Sequence, residues 1–166
     1  MTSAMPREAT AGVIAPPPLL ALAVVVLGLA LDWLMPAYLL AVLLTLSERI
    51  VIGVILMATG FALAFPARSA FVSAGTHVKP WKPSTVLVTD GIFGWLRNPM
   101  YVGGCIVLVG LAILLASDWM LVLTILCALV LHFGVVLREE RYLEAKFGDV
   151  YRDYKRRVPR YGWPGR

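Results

Sequence analysis

Two polar clusters interrupt this otherwise apolar sequence, and both carry side chains that could hold a charged organic molecule. Arg97-Asn98 stands before one apolar run, and Glu139-Glu140 follows another. Carboxylates accept hydrogen bonds from hydroxyl and ammonium groups, whereas arginine and asparagine donate them to a carboxylate. If the two runs cross a bilayer as a hairpin, both clusters return to the same membrane face. Aromatic faces that attract cations could come from Tyr101, Tyr151 and Tyr154.

The composition is typical of an integral membrane protein. Hydrophobic residues make up 60% of the 166 residues, and the mean hydropathy is +0.81, whereas soluble domains are about half apolar. The length predicts a single domain over residues 1–166. The net charge is +5, with most basic residues at or beyond Arg138. Cations beside membrane-length apolar runs favour anionic lipid headgroups over nucleic acid. Cys105 and Cys127 lack metal-ligand spacing, so no metal site is predicted.

The apolar runs predict an all-α integral membrane protein with about four transmembrane helices. Residues 1–15 are expected to be a flexible leader, and residues 16–71 to hold the N-terminal transmembrane helices, the second ending at Arg68. Residues 37–47 are too few to cross about 30 Å of hydrocarbon, so they either lie in the interface or extend the next helix. The predicted spans are residues 19–35, 50–67, 100–117 and 119–137. Close helix contacts are predicted at the small residues Gly53, Ala58 and Gly60, and helix packing is one interpretation of Gly103-Gly104.

Residues 72–166 are predicted to form a core around the helical hairpin at residues 100–137. A polar strap rich in turn signals, residues 75–98, precedes the hairpin. Two short amphipathic helices are predicted to follow it, with Gly148 ending the first and Asp149 capping the second. The strap and these C-terminal helices would then meet at one end of the hairpin.

The distribution of basic residues predicts the orientation in the membrane. The loop at residues 36–49 and the hairpin turn contain one basic residue, Arg49, whereas residues 68–97 contain four and the C-terminal tail nine. By the positive-inside rule, both termini and the strap face the cytoplasm. The protein is therefore predicted to be a multi-pass protein of the cell (inner) membrane with a cytoplasmic site.

Three motifs occur in a fixed order across roughly residues 75–160. They are Leu87-Val88-Thr89-Asp90-Gly91, then Arg97-Asn98-Pro99-Met100-Tyr101, then a spaced pattern of Glu139, Glu140, Leu143, Phe147, Gly148, Tyr151, Tyr154, Val158 and Pro159. The combination resembles the isoprenylcysteine carboxyl methyltransferase superfamily, which includes phospholipid N-methyltransferases and small prokaryotic relatives. The resemblance implies an integral-membrane enzyme that uses S-adenosylmethionine and releases S-adenosylhomocysteine.

The resemblance also implies where cofactor and acceptor bind. The strap, the start of the hairpin and the C-terminal helices would form the cofactor pocket, and Arg138 and Glu139 stand where acceptor-orienting or catalytic residues are expected. His132 is a further catalytic candidate because it is an ionisable residue within a span, seven residues before Glu139 on the same helix face. The predicted cofactor-binding residues are His77, Leu87, Val88, Gly91, Arg97, Asn98, Pro99, Tyr101, Glu139, Glu140, Tyr151 and Tyr154.

The predicted acceptor is an amphiphile that reaches the site from the bilayer. Asn98 replaces the histidine that is usual at this position in the carboxyl methyltransferases. An isoprenylcysteine-like carboxylate, a lipid amine and a thiol therefore all stay open. A neutral amine or thiol must also lose a proton, and a glutamate is the expected base.

Two other functions are compatible with the same residues. Sterol reductases resemble this superfamily in their C-terminal halves, and such a reductase would bind NADPH, with the basic tail supplying cations for its 2′-phosphate. A non-enzymatic membrane scaffold would instead tolerate alanine at Asn98, Glu139 and Glu140. Single residues also have simpler interpretations: the glutamates could be a solvated helix start, Arg97 a membrane-interface anchor, and His132 a hydrogen-bond partner of another span.

Overall fold

The described part of the chain is helical throughout. The computed structural model describes residues 10–76 and 82–162, so the predicted site residue His77 lies outside the described residues. A 3-10 turn spans Gly91–Gly94, and a π-helical segment, His132–Val136, joins two α-helices. The α-helices are α1 (Pro17–Leu34), α2 (Leu39–Leu43), α3 (Leu46–Ser73), α4 (Pro99–Leu115), α5 (Asp118–Leu131), α6 (Leu137–Phe147) and α7 (Asp149–Arg157). Residues 10–76 and 82–162 contain no strand, and the predicted all-α class is confirmed.

In the described part of the chain, three helical stretches are long and apolar enough to cross a bilayer. They are α1 with 18 residues, α3 with 28, and the continuous rod of α5, the π-helical segment and α6 with 30. The apolar α4 has 17 residues, about 26 Å at 1.5 Å per residue, which is close to the hydrocarbon thickness. The chain is therefore a multi-pass membrane protein.

The stretch before α3 forms a separate short helix. α2 has only five residues, and the Asp118 carboxylate accepts hydrogen bonds from the backbone N–H groups of Leu39 and Leu40 at 2.8 and 3.0 Å. α3 then begins with a capping box in which the Thr45 hydroxyl accepts from the Glu48 N–H and the Glu48 carboxylate accepts from the Thr45 N–H. These reciprocal bonds start a new helix at Leu46, so residues 37–45 are not part of α3.

The sequence predicts that the second span ends at Arg68. That end is wrong for the helix α3, which continues to Ser73. Pro66 lies inside it, and Arg68 is exposed. A charged residue ends an apolar run, but it does not end a helix whose last turns are packed. Ala67 is fully buried, and the ring of Phe71 meets that of Phe93 edge-on with centroids 4.8 Å apart. This last contact attaches the strap to the end of α3.

Glycines bring α3 and α4 into backbone contact. A Cβ on Gly53 would lie 2.8 Å from the carbonyl oxygen of Gly110, and one on Gly60 would lie 2.5 Å from that of Gly103. The seven-residue spacing within each helix places both pairs on one seam of antiparallel helices. The predicted contacts at Gly53 and Gly60 and the packing interpretation of Gly103 are confirmed. The contact predicted at Ala58 and the packing interpretation of Gly104 are wrong, since Ala58 is exposed and a Cβ on Gly104 would meet nothing within 4 Å.

The α4–α5 hairpin turns within two residues, as predicted for a tight connection. Ala116 adopts a left-handed conformation with φ 52°, and the Ser117 hydroxyl accepts from the Met120 N–H at 3.1 Å to cap α5. The same hydroxyl donates to the carboxylate of Asp32 at the end of α1. α1 also packs tightly on α5, because a Cβ on Gly28 would lie 2.8 Å from that of Met120. The end of the fold opposite the strap is thereby closed.

Candidate functional site

A pocket lies where the described part of the strap, residues 82–98, meets the start of α4 and the C-terminal helices α6 and α7. It is the arrangement that the sequence predicted for these elements. Ten of the predicted cofactor-binding residues line it: Leu87, Val88, Arg97, Asn98, Pro99, Tyr101, Glu139, Glu140, Tyr151 and Tyr154. Their role in binding stays a prediction, but the fold brings them together around one cavity.

Glu140 lies at the centre of a buried cluster of three charged side chains. Its Oε1 accepts hydrogen bonds from Arg97 Nη1 at 2.8 Å and from Arg160 Nε at 2.7 Å, and its Oε2 accepts from Arg160 Nη2 at 2.7 Å. The side chains of Glu140 and Arg97 are each 10% exposed, and that of Arg160 is 33% exposed. The two-pronged contact with Arg160 is the strongest geometry of a guanidinium–carboxylate pair. Glu140 therefore holds two arginines at the pocket.

Arg97 retains a donor that the protein does not use. Its Nε is buried and has no hydrogen-bond partner among the described residues. A buried unsatisfied donor costs about 1–3 kcal/mol, and most native structures avoid it. Because Arg97 lines the pocket, this N–H is suited to an acceptor group on a ligand.

Glu139 faces a different partner from its neighbour. Successive residues on an α-helix point about 100° apart, so the two adjacent glutamates of α6 contact different parts of the protein. The Tyr101 hydroxyl, on α4, donates to Glu139 Oε2 at 2.9 Å. Glu139 is half-buried and lines the same pocket as Glu140. The pocket thus contains one carboxylate engaged by two cations and one engaged by a neutral hydroxyl.

The aromatic wall of the pocket comes from α7. Tyr151 and Tyr154 are buried with Val158, and the Tyr154 hydroxyl donates to the Phe93 carbonyl at 2.7 Å. Burial raises the pKa of Tyr151, and the negative charge of Glu140 acts in the same direction, so its hydroxyl stays neutral at physiological pH. This wall depends on the sharp break between α6 and α7.

That break occurs at Gly148, as predicted, where φ is 56°. Such a positive φ favours glycine because it has no Cβ. The predicted cap at Asp149 is wrong. Asp149 is the first residue of α7, and its carboxylate accepts from Arg152 on the next turn.

Three predicted site residues lie outside the pocket lining. Gly91 begins the 3-10 turn with φ 60°. Arg138 is exposed and donates to the Gly12 carbonyl at 2.9 Å. His132 Nδ1 lies 2.7 Å from the Tyr161 hydroxyl. The π-helical segment between His132 and Glu139 explains why His132 lies outside the pocket. One wide turn adds a residue and rotates the following helix by about 100°. His132 and Glu139 therefore do not share the face that regular α-helical spacing predicted.

The segment before α1 covers the π-helical segment. The Ile14 N–H donates to the Gly134 carbonyl at 3.2 Å, and a Cβ on Gly134 would lie only 2.2 Å from Ile14 Cδ1. Ala11, three residues earlier, lines the pocket. The stretch predicted as a flexible leader thus docks on the π-helical segment through Ile14 and contributes Ala11 to the wall of the site.

Several lining residues were not predicted from the sequence. Most are apolar or hydroxyl-bearing side chains outside the three sequence motifs. Met100 and Leu143 belong to those motifs, and this was the signal that could have indicated them. The lining residues that were not predicted are Ala11, Phe71, Ser84, Val86, Phe93, Met100, Tyr142 and Leu143. Arg160 was also missed, although a cation directly after Pro159 was a usable signal next to a predicted carboxylate cluster.

Fold and site together define a multi-pass membrane protein with a charged small-molecule pocket at one end of its helices. Comparison with known proteins makes the class more specific. Residues 48–150 match the phospholipid methyltransferase family, and the chain belongs to that family. No solved structure matches the chain.

Several relatives are similar over part of their length. The protein-S-isoprenylcysteine O-methyltransferase of Schizosaccharomyces pombe is 40% identical over 99 residues, which cover 55% of this chain and 41% of the yeast protein. The protein of the same name from Xenopus laevis is 32% identical over 114 residues, or 66% of this chain and 38% of the frog protein. An uncharacterized Haemophilus influenzae protein is 37% identical over 62 residues, 37% of this chain and 98% of its own length. The chain thus spans about two fifths of the length of these two methyltransferases.

Proposed function

We propose that this protein is a membrane methyltransferase that moves a methyl group from S-adenosylmethionine to an amphiphilic acceptor. Membership of the phospholipid methyltransferase family supports this proposal, since the family takes its methyl group from S-adenosylmethionine. The names of the similar yeast and frog proteins support it as well, because both are O-methyltransferases.

The observation that carries the proposal is the Nε of Arg97, which has no hydrogen-bond partner among the described residues and lies beside the Glu140–Arg160 pair. S-adenosylmethionine carries a carboxylate, an ammonium group, two ribose hydroxyls, an adenine ring and a sulfonium. Arg97 Nε is a suitable donor for the carboxylate. Glu139 can accept from a hydroxyl or the ammonium group, and the rings of Tyr101 and Tyr151 offer faces for adenine or the sulfonium. The residues present therefore fit each part of this cofactor.

When bound, S-adenosylmethionine supplies an electrophilic methyl group, whose bond to sulfur breaks as its bond to the acceptor forms. The protein has to align the acceptor with the methyl group and exclude water from the pocket. These two effects supply most of the rate acceleration of such a transfer. Leu87, Val88 and Leu143 give the pocket the apolar walls that this requires. Glu139 is the carboxylate we assign as base for a neutral amine or thiol, and the Tyr101 hydroxyl holds it in place. A carboxylate acceptor would need no base.

The acceptor class follows from the position of the pocket at the end of membrane-spanning helices. An amphiphile can keep its apolar part in the bilayer while its polar group enters such a pocket. The candidates are an isoprenylcysteine-like carboxylate, a lipid amine and a thiol. We assign the site to the cytoplasmic face of the cell membrane, because the strap and the C-terminal tail carry most of the basic residues.

Calorimetric titration of the detergent-purified protein with S-adenosylhomocysteine tests the proposal, with NADPH titrated in parallel. We expect S-adenosylhomocysteine to bind and NADPH not to bind. Binding of NADPH alone would favour a reductase, and binding of neither would favour a scaffold. A positive result justifies a screen of the three acceptor classes with radiolabelled methyl donor in lipid vesicles.

A further inference from the structure

We infer that Arg160 is a positioning residue of the cofactor site, acting on Arg97 through the carboxylate of Glu140. The inference rests on the proposed function and adds a residue that lies beyond the family match at residues 48–150. It assigns to Arg160 both the orientation of Arg97 and the surplus positive charge of the cluster that it forms with Arg97 and Glu140.

The first argument is geometric. Glu140 accepts from Arg160 through both oxygens, but from Arg97 through Oε1 alone. A single contact leaves a carboxylate free to rotate, whereas a two-pronged contact fixes its plane. The plane of Glu140 in turn determines where Arg97 Nη1 is held. It thereby also determines the position of Nε in the same guanidinium, which has no partner in residues 10–76 and 82–162.

The second argument is electrostatic. The cluster contains two guanidinium groups and one carboxylate, so its net charge is +1. Without Arg160, the remaining pair of Arg97 and Glu140 would be neutral, and the pocket would attract an anionic group less strongly. Other tail cations do not have this effect, because Arg152, Lys155 and Arg156 pair with carboxylates that lie outside the pocket lining, whereas the carboxylate paired with Arg160, Glu140, lines the pocket.

The third argument is that Arg160 is attached through its backbone as well as its side chain. The Arg160 carbonyl accepts from Asn98 Nδ2 at 3.3 Å, and the carbonyl of the preceding Pro159 accepts from the Arg97 N–H at 3.0 Å. The segment after α7 therefore lies against the start of α4. These backbone contacts hold Arg160 at the site.

The test compares two ligands in calorimetry on the full-length protein. S-adenosylhomocysteine carries the amino-acid carboxylate, and 5′-methylthioadenosine lacks it while keeping the adenosine and the thioether. For Arg160→Gln we expect S-adenosylhomocysteine to bind at least about tenfold more weakly, about 1.4 kcal/mol, with methylthioadenosine affinity unchanged. A purely structural role would weaken both ligands equally, and that result would overturn the inference. Unchanged binding of S-adenosylhomocysteine would overturn it too.

Matched variants complete the design. Arg157→Gln removes an exposed arginine of α7 that donates to the Asp153 carbonyl, and we expect it to bind both ligands as the wild type does. Arg160→Lys keeps the charge without the two-pronged contact, so its affinity for S-adenosylhomocysteine should fall between wild type and Arg160→Gln. If Arg160→Gln does not fold, the same comparison of two ligands is made between Arg160→Lys and wild type. If the wild type itself fails to bind S-adenosylhomocysteine, the proposed function fails, which is distinguishable from failure of Arg160 alone.

Discussion

Substituting Glu140 with glutamine tests whether the ion cluster is as buried and as coupled as the structure indicates. The change removes one negative charge while leaving the side-chain volume almost unaltered. It converts three charge-assisted hydrogen bonds of 2.7–2.8 Å into contacts between a neutral amide and two cations. The Arg97 side chain, 90% of which is buried, then has no counter-charge within the cluster.

The expected loss of stability follows from which arginine is left unpaired. Removing one partner of a buried ion pair costs about 3–5 kcal/mol. Arg160 is one-third exposed, so water can compensate it in part, and most of the loss falls on Arg97. The glutamine Oε1 can still accept one hydrogen bond. We therefore expect the free energy of unfolding to fall by about 3 kcal/mol, near the lower end of that range.

Thermal unfolding in detergent measures this loss, with Glu144→Gln as the matched control. Glu144 lies one turn further along α6 and pairs with Lys155, but its side chain is 34% exposed, against 10% for that of Glu140. Exposed ion pairs contribute little to stability, so the control should shift the Tm much less. Equal, small shifts for the two variants would refute the reasoning, because the Glu140 cluster would then be solvated in the same way as a surface pair.

Two further predictions concern glycines. Gly60→Ala should destabilise the protein by about 1–3 kcal/mol, because its Cβ would lie 2.5 Å from the Gly103 carbonyl oxygen. Gly104→Ala, next to Gly103 on α4 but outside the seam, should be neutral or stabilise by up to about 1 kcal/mol, and equal Tm values for the two variants would contradict this packing. Gly134→Ala should displace Ile14 and speed amide hydrogen exchange at residues 11–14, with little change in Tm because Ile14 is more than half exposed. Unchanged exchange at the Ile14 amide would show that residues 11–14 do not dock on the π-helical segment.

Hydropathy and run length alone predicted the membrane-spanning helical class. The physical reason is that a backbone in hydrocarbon must satisfy its hydrogen bonds internally, which leaves helices as the simplest solution. The contacts at Gly53 and Gly60 and the helix break at Gly148 were also predictable. Each depends on a property of one residue type, the absence of a Cβ, and not on long-range geometry.

The pocket lining was predictable where local motifs end regular elements. Arg97, Asn98 and Tyr101 stand at the start of α4, and both glutamates stand in the first turn of α6. Once the hairpin is predicted, these ends must lie near each other. The extent of α3 beyond Arg68 was not predictable from hydropathy, because tertiary contacts of Ala67 and Phe71 stabilise its last turns.

Only the tertiary structure decided which charges meet and which side chains turn away. The π-helical segment rotates α6 relative to α5, and this rotation separates His132 from the face of Glu139. Arg138 lies outside the lining because successive residues of α6 point about 100° apart. The pairing of Glu140 with Arg97 and Arg160 joins residues 43 and 20 positions apart. Sequence spacing predicts a face on one helix, but an ion pair of this kind also requires the rotation of that helix and the docking of a distant segment. Those two quantities are set by packing across the whole fold.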